Sequence, residues 1–267
     1  MATDLRNRVA VVTGASSGIG RAAAIAFARA GMRVVLGARR ADQLQEAVDV
    51  IRDGGGEARW LAADVTRGED VTRLVREATA AYGRLDIVVA NAGVGYFGRL
   101  ESTPPHEARR LLDINLLGTI HTVQAAVPVM RSQGWGHLIL VSSIVGKRAS
   151  PGNGIYAATK SAQIALAESL RLELAEAGIP VSVVCPVSTT TEFFETAAAR
   201  SPIRVDPAGP VYSAEQVASV ILRVARRPRP EVMVYPPARL MVILNAISPR
   251  IVDRIMAMYW RRVRPAL

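Results

Sequence analysis

The chain has 267 residues, half of them apolar, with one cysteine and a formal net charge of +10, which suits one large α/β domain and excludes a disulfide framework. Ten arginines against Glu231 and Asp253 place +8 of that charge between Ile221 and Leu267, and with no basic recognition helix or aromatic-rich face, nucleic acid is not an expected partner. Cys185, His106, His121 and His137 show no metal-ligand spacing, so no metal site is expected; no apolar run approaches the ~18 residues of a membrane span and the N-terminus reaches its first strand too soon for a secretory signal, so a cytoplasmic protein is expected.

In chain order, the apolar, β-branched run Arg8–Thr13 reads as a strand and Gly18–Arg29 as a helix. The alternation then repeats. Arg33–Leu36, Ala58–Ala63 and Asp86–Ala90 read as strands, with helices at Asp42–Ile51 and Glu69–Tyr82 between them. A long helix is expected over Glu107–Arg131, a strand over His137–Ser142, a helix over Tyr156–Ala177 and a strand over Val181–Cys185. Helix Ala214–Ala225 and strand Glu231–Tyr235 complete the set. Such alternation implies a single Rossmann-type α/β domain: a doubly wound parallel sheet with helices on both faces and ligands at the carboxyl ends of the strands. Residues 1–237 are assigned to this domain. Pro236-Pro237 breaks the pattern, and residues 238–267 form a basic, amphipathic helical appendage. Its apolar residues suit packing on the domain or on a second subunit, which is the preferred reading; an anionic membrane surface or a docking partner are the alternatives.

Two motifs carry chemistry. Strand one runs into Thr13-Gly14-Ala15-Ser16-Ser17-Gly18-Ile19-Gly20 and then a helix, a turn whose backbone N–H groups can approach a pyrophosphate at the positive helix end. The second is Tyr156-Ala-Ala-Thr-Lys160. The chain has two lysines against thirty-one arginines, and at i and i+4 on one helix face this lysine can bias a phenol toward ionisation, making an acid/base pair.

With these motifs the sequence resembles the short-chain dehydrogenase/reductase family in its compact subtype, over residues 6 to about 235. Thr13-Gly14-x-x-x-Gly18-Ile19-Gly20 matches the family's cofactor loop, Asn91-Ala92-Gly93 its motif after strand four, and Asn115 its helix-borne asparagine. Ser143 stands thirteen residues before Tyr156, the family's usual separation, and Tyr156-x-x-x-Lys160 completes the set. The resemblance implies that Tyr156 is the proton donor to a carbonyl, or the base toward an alcohol. It implies that Lys160 binds the nicotinamide ribose and lowers the pKa of Tyr156, that Ser143 bonds the reacting oxygen, and that Asn115 holds a water linking Lys160 to solvent. Asp64-Val65 would contact the adenine, Asn91 would steady the sheet by the cofactor, and the loop Gly14, Ser16, Ser17, Gly18, Ile19 and Gly20 would cradle its phosphates. Pro186 and Thr191 fall where the family lines the nicotinamide side, although Val187 replaces the usual glycine there. Ser142 reads as structural.

Strand two ends Leu36-Gly37-Ala38-Arg39-Arg40 with no acid before Asp42. A carboxylate here would favour NAD, whereas arginines suit a 2′-phosphate, so NADP(H) is the expected cofactor. Segments Gly93–Leu100, Ile144–Ile155 and Val187–Ser213 are expected to face substrate. They hold Val94, Tyr96, Phe97, Ile144, Val145, Phe193 and Phe194, with Arg99, Lys147, Arg148, Glu192 and Glu195 as the nearby charges, which points to an apolar carbonyl or alcohol. The expected function is an NADP(H)-dependent oxidoreductase, assembled as a homodimer or homotetramer through the family's two long interface helices. A non-catalytic NADP(H)-binding regulator or scaffold is the alternative from another class. A sugar-nucleotide epimerase or dehydratase is disfavoured by the loop spacing and the lack of a large C-terminal substrate domain.

Overall fold

The computed structural model describes residues 3–203 and 209–263, with side-chain surroundings described as far as residue 258. Among the described residues nine strands form, β1 Val9–Thr13, β2 Arg33–Ala38, β3 Glu57–Ala62, β4 Ile87–Ala90, β5 His137–Val141, β6 Val181–Cys185, β7 Thr189–Thr190, β8 Tyr212–Ser213 and β9 Glu231–Met233. Seven of them make one parallel sheet in the order β3-β2-β1-β4-β5-β6-β9, and the short β7 and β8 pair with each other. Strands β1, β4, β5 and β6 are buried along their whole length. Both faces must therefore be covered, which explains continuous rather than alternating apolar runs. Each fully buried valine or leucine in them contributes about 1.5–3 kcal/mol.

Helices α1 Gly18–Arg29, α2 Ala41–Asp53 and α8 Ala214–Arg226 cover one face. Phe27, Leu44, Val48 and Ile221 are buried there with Val12, Leu36 and Ile139 of the sheet. The other face is covered by α3 Gly68–Tyr82, α5 Gly118–Gln133 and α6 Gly154–Glu173, with Leu74, Met130 and Ile164 packed beside Val11, Val88 and Leu140. Ser213 starts α8 with a reciprocal cap, its hydroxyl accepting from Gln216 N while the Gln216 side chain accepts from Ser213 N. The strand order reverses between β1 and β4, opening a crevice at their carboxyl ends.

The long helix expected over Glu107–Arg131 is interrupted. Helix α4, Pro105–Leu111, passes into a π-helical turn at Leu112–Leu117 before α5 begins. Inside the turn, the Asn115 side chain pairs with the Val94 backbone, donating to Val94 O at 3.0 Å and accepting from Val94 N at 2.8 Å. A wider helical turn at a functional residue is a recurrent device, and composition carries no signal for it. Helix α6 also stops at Glu173 rather than Ala177, and the short helix α7, Phe193–Ala198, stands where no element was expected.

Helices α9, Ala238–Ile247, and α10, Pro249–Val263, follow the sheet. Ala238 and Val242 pack against the core on the α5–α6 side, Val252 is fully buried, and Arg148 ties α10 down through Asp253 at 2.6 Å. The expected packing on the domain is thus present, but it covers one side only. Leu240, Ile243, Ile247, Ile251 and Met258 remain exposed. The side chains of Tyr259, Trp260, Arg261 and Arg262, and the whole of Arg264, lie outside the described residues.

Candidate active site

The crevice is a cleft of about 680 Å³. Its first wall is the turn between β1 and α1. Gly14 has φ +66°, and a Cβ there would lie 2.8 Å from Ala92 Cα; one on Gly20 would strike the Gly14 carbonyl and the Asn91 side chain. Side chains are excluded from both positions, so the backbone itself forms the cradle. Asn91 locks it, its Nδ2 donating to Thr13 O at 3.0 Å and Gly14 O at 3.2 Å, while Thr13 Oγ1 accepts from Asn91 N at 3.1 Å. Ser17 caps α1 without a side-chain bond to its first turn, leaving the N–H groups at the positive helix end for an anion.

Arg40, between β2 and α2, reaches over this turn. Its guanidinium donates to Ser17 Oγ at 2.7 Å, to Ser16 Oγ at 3.2 Å and to Glu192 Oε2 at 2.9 Å. The bond from Arg40 is the main reason the Glu192 carboxyl is held below its ordinary range. Arg39, also exposed, lines the cleft beside it. Asp64, Val65, Ala92 and Gly93 line the middle of the cleft. The Asp64 carboxylate is engaged by Thr66, accepting from its N and Oγ1 at 2.9 Å each. Gly93 leaves room for the lysine: a Cβ there would sit 3.3 Å from Lys160 Nζ.

The floor holds Ser143, Tyr156 and Lys160. Ser143 follows β5, and Tyr156 and Lys160 share one face of α6, with Lys160 Nζ 5.8 Å from the Tyr156 ring centroid. Lys160 is 3% exposed, and burial lowers its pKa to about 8. Burial also pushes the Tyr156 phenol above its ordinary value, with the Ser143 hydroxyl opposing. The direction differs from the sequence expectation of a lowered phenol: among the protein's own groups, desolvation outweighs the Ser143 hydrogen bond. Ser142 donates to Lys160 O at 2.7 Å, a bond to the backbone of α6.

Asn115 reaches this group in an unexpected way. Its Nδ2 donates to Val94 O and to Thr159 Oγ1, and its backbone carbonyl accepts from Thr119 Oγ1 and from Gln163 Nε2, both at 2.8 Å. Both acceptor positions of that carbonyl are therefore taken. Gln163 stands between Lys160 and that carbonyl, bonded to both. Sequence reading passed over Gln163; its one signal is a long amide beside Ile164 and Ala167 on the inward face of α6.

The far end is apolar. Phe97 stacks on Phe194 at 6.0 Å and 9°, Phe193 meets Phe97 edge-on, and the Phe193 ring lies 5.3 Å from that of Tyr156. Val94, Ile144 and Val145 line the same space. Tyr96 is buried outside the lining, and Lys147 pairs with Glu231 at 3.0 Å. Arg99 pairs with Glu101, and neither it nor Glu195 lines the cleft. Met241 and Val242 of α9 and Met256 of α10 add an outer wall that the sequence did not assign. Pro186 O accepts from Ile144 N at 2.8 Å, and Pro186, Val187 and Thr191 line the cleft between the two ends. Val187 lies outside the positive-φ region, where Asn7 is the one non-glycine among the described residues, so the missing glycine leaves no strain.

Comparison with known proteins agrees with this geometry. The profile described as short chain dehydrogenase matches residues 8–201. The glycine betaine reductase of Emericella nidulans is 39% identical over 227 residues, 84% of this chain, but the match spans only 18% of that longer protein. A short chain dehydrogenase/reductase from Burkholderia phymatum in complex with NAD superposes with a TM-score of 0.84 at 28% identity, covering 92% of this chain and 95% of the other. An alcohol dehydrogenase from the archaeon Thermococcus sibiricus, complexed with 5-hydroxy-NADP, gives 0.75 at 31% identity over 85% of this chain and 96% of the other. The glycine cradle, the seven-stranded sheet and the Ser143–Tyr156–Lys160 floor thus sit in a chain that belongs to the short-chain dehydrogenase/reductase family of oxidoreductases.

Proposed function

We propose that this oxidoreductase uses NADP(H) and acts on the carbonyl or secondary alcohol of an apolar substrate. One juxtaposition carries the reading: Tyr156 and Lys160 lie in a single cleft between a cationic end, Arg39 and Arg40, and an aromatic end, Phe97, Phe193 and Phe194. The solved relatives bind NAD in one case and an NADP derivative in the other. Cofactor choice therefore rests on this chain's own residues. No carboxylate ends β2, and Arg40 is already braced by Ser16 and Ser17, a donor set suited to a 2′-phosphate.

The cradle fits a dinucleotide, since Gly14 and Gly20 admit only backbone and Ser17 leaves the α1 N–H groups free of side-chain caps. Gly14, Ser16, Ser17, Gly18, Ile19 and Gly20 would hold the pyrophosphate, Asp64 and Val65 the adenine, and Asn91, Ala92, Gly93, Pro186 and Thr191 the nicotinamide half. Once bound, the reduced nicotinamide supplies the hydride. Tyr156 keeps its proton at neutral pH because burial raises the phenol, which is the form that can donate to a carbonyl oxygen. Ser143 bonds that oxygen and orients it. Lys160, poised near 8, restores the proton to the phenol and in the reverse direction supports its removal. The aromatic wall excludes water around the reacting carbon. Asn115 shapes the loop at Val94 and carries Lys160 indirectly.

The chain is expected to assemble as a homodimer or homotetramer through α5 and α6. Leu117 and Leu172, both exposed, support that surface. A panel of apolar ketones, aldehydes and secondary alcohols, followed by the absorbance of reduced nicotinamide with each cofactor, tests the function. Turnover with NADPH on apolar members is the expected result, and turnover confined to charged substrates or to NADH overturns it.

A further inference from the structure

Gln163 is fully buried, and every polar atom of its side chain has a defined partner. Its Oε1 accepts from Lys160 Nζ at 3.1 Å, and its Nε2 donates to Asn115 O and to Thr119 Oγ1, each at 2.8 Å. The partners fix the orientation of the amide: an ammonium cannot accept, and a carbonyl cannot donate. Burying an amide in the protein interior costs free energy unless it is paired in this way. Among the described residues the lysine makes one other bond, to Val141 O at 3.0 Å. Two of its three protons are thus committed, and the third is left for the cleft.

We propose that Gln163 is the positioning residue of Lys160, fixing the direction of its ammonium and its affinity for the proton and closing the path from it to the Asn115 carbonyl. This rests on the reading of Tyr156 and Lys160 as the acid/base pair. The titratable groups facing the ammonium are few. Tyr156 lies on the same helix, and Cys185 on β6 is the one charge-bearing group acting on it from the sheet. Burial pushes that thiol up to about 12, so it is neutral at working pH. The helical turn Leu112–Leu117 presents only the uncharged Asn115, and no carboxylate among the described residues pairs with Lys160. Among the described residues, the Gln163 amide oxygen is the side-chain acceptor that the ammonium bonds, its other bond going to the Val141 backbone.

The test exploits the two lysines of the chain. Carbon-13 labelling of lysine Cε gives two NMR signals, assigned with Lys147→Arg, and Lys160 is titrated between about pH 6 and 11. Gln163→Leu removes an acceptor from a buried cation, and its midpoint should fall by about half a unit or more. Gln163→Glu keeps the size and adds a charge, and the midpoint should rise by about one unit or more. With a substrate from the panel, the pH dependence of kcat should move in the same two directions while KM for NADPH stays within about twofold. If Gln163→Leu does not fold, Gln163→Glu decides alone. An unchanged Lys160 midpoint in the folded variants overturns the proposal. A wild-type chain inactive on every substrate counts instead against the oxidoreductase reading and leaves the NMR result standing.

Discussion

Replacing Arg40 with alanine is the sharpest probe of cofactor choice. The guanidinium makes bonds to Ser16, Ser17 and Glu192 and is about half exposed. A charge-assisted hydrogen bond contributes about 1.5–3 kcal/mol, and exposure pulls that toward the lower end because water and salt screen the pair. A loss of about 1.5–2 kcal/mol corresponds to roughly 10- to 30-fold weaker NADPH binding. NADH lacks the 2′-phosphate, and its affinity should change by less than about twofold. Glu192 sharpens the prediction, because its carboxylate competes for the same guanidinium at 2.9 Å. Glu192→Gln should tighten NADPH by about threefold at low salt and leave NADH unchanged. Fluorescence titration of each cofactor against the three proteins measures all of this. Equal losses for both cofactors on Arg40→Ala, or a wild-type preference for NADH, would refute the placement of the 2′-phosphate.

Tyr156→Phe should lower kcat by at least about 100-fold with cofactor still bound, and Lys160→Arg should also fail, since a guanidinium is larger and directs its donors differently; retained turnover in the phenylalanine variant counts against Tyr156. Glu107 is buried between Arg110 and Arg200, accepting at 2.8 Å from each. Burial works against its charge, but the two guanidiniums prevail and hold its carboxyl below the ordinary 4.5. The stabilisation from that pairing is then fully present above about pH 4.5 and is lost as pH falls through the depressed value. Glu107→Gln should cost about 2–3 kcal/mol at pH 7, discounted for the half-exposed Arg200, with the gap to wild type in melting temperature closing on acidification; a constant gap across pH argues against it. Truncation after Pro237 removes Met241, Val242 and Met256 from the cleft and Val252 from the interior. KM for apolar substrates should rise several-fold and the melting temperature fall, without binding to anionic liposomes in either form. Salt-sensitive liposome binding by the intact chain, lost on a truncation that leaves stability and oligomeric size by light scattering unchanged, supports a membrane-facing tail instead.

Most of the framework was legible in the chain because local rules write it. Continuous valine-rich runs such as Val9–Thr13 and Val181–Cys185 announce strands buried on both faces. Gly14 and Gly20 announce a backbone cradle because a Cβ at either has nowhere to go, and the i, i+4 spacing of Tyr156 and Lys160 needs only a helix to bring them together. What tertiary structure alone decided are contacts between segments far apart in sequence. Arg40 meets Glu192 across 152 positions, and α9 and α10 close the cleft of a domain whose motifs end long before them. The direction of the Tyr156 shift depends on how much water the folded cleft excludes, and spacing does not encode that. Gln163 reads in sequence as one more residue on a helix. Its meaning appears only when the widened turn at Asn115 brings a carbonyl within 2.8 Å on one side while the lysine's ammonium stands 3.1 Å away on the other, because a hydrogen-bond network is a property of positions in space and not of order along the chain.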